Sequence, residues 1–84
     1  MYYNNGNNKI YMFNFLDVVK WVECLNPAEM NDVMVVEDTD PEFITVRHLN
    51  NSQLSKEREI NLRFVGRCTP YEPTQNIIDR YKNA

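Results

Sequence analysis

The stretch that most constrains how this chain can fold is Phe15 to Leu25, FLDVVKWVECL, where apolar residues recur with a sustained helical period. At 100° per residue, Phe15, Val18, Val19, Val22 and Leu25 fall within about a third of a helix circumference, while Asp17, Lys20, Glu23 and Cys24 fall opposite. The spacing predicts a helix with one core-facing stripe. Asn14 is placed to cap its first turn, Asp17 to meet the positive dipole end, and Asn26-Pro27 to stop it. Trp21 sits at the edge of the stripe, either as a half-buried core residue whose indole N–H reaches water or as a contact anchor.

Upstream, Lys9 to Phe13 reads as a strand, and residues 1–8 read either as a frayed arm or as one strand of a hairpin turning at Asn5-Gly6. Asn26 to Asn31 forms a turn with room for one helical turn. Val33 to Val36 is four apolar residues in a row, three of them β-branched, the pattern of a strand covered on both faces and placed mid-sheet. Phe43 to Leu49 alternates as a second strand, and Asn50 to Glu57 is a polar connection. A further strand spans about Arg58 to Cys68, with Ile60, Leu62, Phe64 and Cys68 inward and Gly66 marking a bulge or a close approach. Thr69 to Glu72 has the form of a capping box before a short helix from Pro73 or Thr74 to Tyr81.

The expected fold is therefore α+β: an antiparallel sheet of three to four strands with two helices packed on one face, in the order β-α-β-β-β-α, with residues 9–84 as a single domain. From the first helix onward this order resembles that of the double-stranded-RNA-binding domain. The resemblance implies basic residues at the start of the last helix and in the loop between the first two strands. Here those segments read TPYEPTQN and EDTDPE, which argues against that activity.

Composition narrows the functional classes. A chain of 84 residues that is 43% hydrophobic and 25% charged has the makeup of one small globular domain. The start, MYYNNGNNK, has no basic region followed by an apolar core, so the expected location is the cytoplasm, with Cys24 and Cys68 as thiols. A disulfide after export is the formal alternative. Two separated cysteines and one histidine cannot supply four zinc ligands, and no cofactor motif is present. Asp38, Asp40 and Glu42 alternate like a calcium loop, but the positions that need glycine and a bidentate glutamate hold Phe43 and Leu49.

No glycine-rich phosphate loop, nucleophile elbow or metal spacing supports an enzyme, and His48 reads as a surface or sheet-face residue. What remains is a non-catalytic protein-interaction module, with Trp21, Glu37, Asp38, Asp40 and Glu42 as its contact residues. High asparagine with low glycine is also typical of AT-rich genomes such as those of many phages. A phage or mobile-element protein that inhibits a host macromolecule through an acidic surface is the resulting expectation. The alternative is nucleic-acid binding through Arg47, Arg63 and Arg67 on an outward sheet face, which a net charge of −3 disfavours. Residues 10–46 are acidic and residues 47–84 basic on balance, so pairing of two copies into a homodimer is a further expectation. No membrane partner is expected.

Overall fold

A computed structural model describes residues 13–84. The strand expected over Lys9 to Phe13 and the arm or hairpin of residues 1–8 lie outside them, apart from Phe13 itself. Among the described residues five strands, more than the three to four expected, form one antiparallel sheet: β1 (Asp17–Trp21), β2 (Met34–Thr39), β3 (Ile44–His48), β4 (Gln53–Glu57) and β5 (Leu62–Arg67). A single helical turn, α1 (Pro27–Met30), lies between β1 and β2, and α2 (Thr74–Tyr81) follows β5. The sheet order is β4-β3-β2-β1-β5, so β2 is central as its apolar run requires.

The main correction concerns FLDVVKWVECL, which holds no helix: its middle, Asp17–Trp21, is strand β1, and its two ends are turns and irregular chain. Val18 and Val19 are adjacent, so a strand points them to opposite faces, and both are fully buried. That is possible because both faces of β1, an interior strand between β2 and β5, are covered: Val19 packs with Phe13, Met34 and Leu62, and Val18 packs under Ile77 of α2. The helical spacing was a coincidence of a two-sided strand, and valine and tryptophan favour the strand locally. Asn14 caps no helix: it closes a turn, donating its N–H to the Asp17 carboxylate at 2.8 Å while its carbonyl accepts from Asp17 N. Asn26-Pro27 begins α1 instead of ending a helix, the Asn26 side chain accepting from Glu29 N. With the first helix gone, the element order no longer resembles the RNA-binding domain.

Other differences follow from exposure. The segment expected to be a polar connection contains β4, an edge strand with a polar sequence, QLSKE. The long strand expected from Arg58 begins with a 3-10 turn over Glu59–Asn61 and becomes extended only at Leu62. Of its expected inward set, Leu62 is buried, but Ile60 is 77% exposed and Phe64 53% exposed. Gly66 fulfils both of its readings. The β1–β5 register shifts beside it, and a Cβ at Gly66 would run into the Tyr81 ring. The expected helix over Thr74 to Tyr81 is α2.

This topology forces the sheet to roll. If flat, four inter-strand spacings of about 4.8 Å would separate β4 from β5 by about 19 Å. Glu57 pairs with Ile44 near one end of the strands and Leu62 with Trp21 near the other, which adds about 15 Å or more. The connecting chain can reach at most about 18 Å. The inner side of the rolled sheet holds Phe13, Val19, Met34, Val36, Ile44, Val46 and Leu62, with Trp21 packed against them. The outer side holds Val18, Val33, Val35 and Leu49 under Ile77 of α2. Lys20 also faces outward and is only 2% exposed; its ammonium donates to the main-chain oxygens of Lys82 at 2.8 Å and Ala84 at 3.4 Å. Burial, and then the nearby Arg63, lower its pKa.

Candidate interaction surface

The sequence-predicted contact residues fall in two places. Trp21 lies opposite the start of β2, and Glu37, Asp38, Asp40 and Glu42 lie at its far end and in the β2–β3 turn, roughly 20 Å away at the rise of a strand.

At the first place, Trp21 is half-buried and its indole N–H donates to the Asp32 carboxylate at 2.9 Å. The same Asp32 oxygen lies 2.9 Å from His48 Nδ1. His48 Nε2 is 2.7 Å from the Ser55 hydroxyl, which in turn donates to Glu57 at 2.8 Å. A polar chain thus runs Trp21–Asp32–His48–Ser55–Glu57 across four segments of the molecule. It contains the acid, imidazole and hydroxyl of a catalytic triad, with the Ser55 hydroxyl shared between His48 Nε2 and the Glu57 carboxylate. The chain fastens edge strand β4 to the rest of the sheet. Sequence reasoning missed it because Asp32 and Ser55 stand 16 and 7 residues from His48, with no spacing rule to join them. Beside Trp21, an open cleft of about 510 Å³ is lined by Val22, Glu23, Ile60 and Asn61.

At the second place, the four acids differ in what they already do. Glu37 accepts from Arg47 Nε at 2.9 Å. Asp40 is spent on the turn, accepting from the N–H groups of Phe43 at 2.8 Å and Glu42 at 2.9 Å; these bonds hold its pKa below the usual carboxylate value. Asp38 and Glu42 are exposed. Glu59 comes alongside from the 3-10 turn and shares a small hollow with Asp40 and Glu42.

The arginines of the nucleic-acid alternative are not brought to one face as a free cationic set. Arg47 is paired with Glu37, Arg67 with Asp17 at 3.3 Å, and Arg63 donates to the Ala84 main-chain oxygen at 2.8 Å. Arg58 stacks over Phe43, Arg80 pairs with Glu72, and Lys82 lies 3.8 Å from Asp79. Most cations among the described residues therefore have partners within the chain, and exposed Lys56 lies near enough to Asp40 to help lower its pKa.

A second groove, of about 260 Å³, opens on the outer face beside α2. The eight-residue helix is only about 12 Å long. It covers Val18, Val33 and Val35 and leaves the outward side chains of β3 and β4 beside it open. Both cysteines are free thiols, with Cys24 exposed and Cys68 lining this groove. Among the described residues no group of histidine, cysteine and acidic side chains is placed to hold a metal ion, and no helix is long and apolar enough to cross a membrane. No family model, no curated protein and no solved structure matches this chain.

Proposed function

We propose that this chain is a small non-catalytic protein-interaction module that docks on a cationic partner through the acidic end of its sheet. One observation carries the reading. Among the described residues most arginines and lysines have internal partners, and at the β2–β3 turn the acids Asp38, Asp40, Glu42 and Glu59 outnumber the nearby cations Lys56 and Arg58, with Asp38 and Glu42 exposed. The charge offered to a partner there is negative, which steers association with a basic surface. In a phage or mobile element, such a module would inhibit a host macromolecule by occupying its cationic site.

The test is retention on immobilised poly-lysine and on heparin across a salt gradient, for the wild type and for a variant with Glu37→Gln, Asp38→Asn, Asp40→Asn and Glu42→Gln. Salt-sensitive retention on poly-lysine that the variant loses is the expected result. Unchanged retention of the variant would refute the acidic surface. Stronger retention on heparin than on poly-lysine would instead favour Arg47, Arg63 and Arg67 as a nucleic-acid surface.

A further inference from the structure

Lys20 and Arg63 are direct partners in the β1–β5 register, so their side chains leave the same face of the sheet as a pair of like charges. Like charges set opposite each other on neighbouring strands destabilise a sheet. Lys20 is also only 2% exposed, and a buried charge is costly unless it is paired. Elsewhere the pattern is the reverse: Arg47, Arg67 and Arg80 each meet a carboxylate. Among the described residues Lys20 and Arg63 bond to main-chain oxygens instead, and residues 1–12 contain no acid.

Those bonds leave donors over. Lys20 Nζ gives one N–H to Lys82 O and one to Ala84 O, and Arg63 Nη2 gives one to the same Ala84 oxygen, whereas an ammonium carries three N–H groups and a guanidinium five. An open hollow of about 200 Å³ lies against both cations, walled by Cys24, Met30, Asn31 and Asn83. That is several times the about 30 Å³ taken up by one water molecule. The acids nearby are turned to other contacts: Glu29 accepts from Leu25 N, Asp32 from Trp21 and His48, and Asp79 lies 3.8 Å from Lys82. The pair brings two positive charges, and even a full negative charge on the oxygens of residue 84 would leave one of them uncompensated. Burial, and then the repulsion of Arg63, hold Lys20 below the ordinary lysine pKa, as a crowding of positive charge requires.

We propose that Lys20 and Arg63 form the base of a phosphate-binding site, the anion sitting in this hollow and taking the remaining N–H donors of both cations. An arginine fork beside the point charge of a lysine suits a tetrahedral oxyanion, which accepts from both at once. Bound there, the anion turns a repulsive cross-strand pair into two attractions. The site lies at the Trp21 end of the sheet and on its outer face, away from the acidic β2–β3 turn, so it stands or falls independently of that surface.

The test is a titration of the ¹⁵N-labelled full chain with inorganic phosphate, at an ionic strength held constant with sodium chloride. Amide and guanidinium shifts should saturate with a Kd of about 1 mM or below and should cluster at Lys20, Arg63 and residues 82–84. Arg63→Gln, at an exposed position and with an amide that can still reach Ala84 O, should bind about tenfold more weakly. Arg47→Gln, which removes a cation outside the hollow, should stay within about twofold of wild type. Lys20→Met, which removes the buried charge, should weaken binding as Arg63→Gln does. Shifts that fail to saturate and spread over Arg47, Arg58 and Arg67 mean an adventitious ion only and overturn the site. Saturable binding that Arg63→Gln leaves unchanged overturns it as well. O-phosphoserine, titrated in the same way, separates the two sources of the group: binding comparable to inorganic phosphate shows that the hollow admits an esterified phosphate, and binding of inorganic phosphate alone confines it to the free ion, the site standing in both cases.

Discussion

Asp32 holds the polar chain together from its middle, and its replacement separates two explanations of that chain. In the wild type one carboxylate oxygen accepts from both Trp21 Nε1 and His48 Nδ1, each at 2.9 Å. Asp32→Ala strands both donors. A hydrogen bond to a charged group contributes about 1.5–3 kcal/mol, and partial access of water to a side chain that is 17% exposed points to the low end for each. The expected loss is about 2–3 kcal/mol, or roughly 10–20 °C in Tm for a domain of this length. Asp32→Asn should cost less, about 1 kcal/mol, because it keeps an acceptor oxygen and loses only the charge. Both donors meet the same oxygen of Asp32, and an amide oxygen in that position can still accept from the indole N–H and from Nδ1–H, without the charge. Urea unfolding followed by the fluorescence of Trp21, the single tryptophan, reads all three proteins. An alanine variant as stable as wild type, or an asparagine variant as damaged as alanine, would refute the hydrogen-bond reasoning.

Gly66→Ala should destabilise by about 1–3 kcal/mol because its methyl group meets the Tyr81 ring, and the cost should shrink in a Tyr81→Ala background when measured as a double-mutant cycle. Ser52 lies at φ 62° in the exposed β3–β4 turn, so Ser52→Gly should raise stability by about 1 kcal/mol in urea unfolding. Asp40 has a depressed pKa, so its contribution is present above the unfolded-state value and is lost as pH falls through the folded one. Asp40→Asn should therefore flatten the acid limb of a stability-against-pH curve, and an unchanged limb would count against the turn bonds as its cause.

The parts of the fold legible in the sequence are those whose pattern has one physical cause. Val33 to Val36 could be placed mid-sheet because a run of branched apolar residues needs cover on both sides, and α2 showed a short stripe in Ile77, Ile78 and Tyr81. β1 obeys the same two-sided rule, but buried Lys20 broke its apolar run and left a spacing that a helix satisfies equally well. The ammonium is tolerated only because two main-chain oxygens from residues 82 and 84 reach it, a fact of tertiary structure. β4 was hidden for the reverse reason: its inward side chains at Ser55 and Glu57 are polar and its exposed one at Leu54 is apolar. At the candidate surface, the acids of the β2–β3 turn were visible as a run. The pairing of Arg47, Arg63 and Arg67, the approach of Glu59 and the groove beside α2 all depend on contacts between distant segments.

The rolled sheet also sets an order of events in time. β1–β2, β2–β3 and β3–β4 join neighbours in the chain, whereas β1–β5 joins residues 17–21 to residues 62–67. That last pairing closes a loop of more than forty residues, so it carries the largest entropy of closure and is expected to govern the folding rate. On a ribosome, Val18, Val19 and Trp21 would wait as an unpaired edge until the β5 sequence emerged. Mutations in β5 should accordingly slow folding and favour aggregation more than equally destabilising changes in the β2–β3 hairpin.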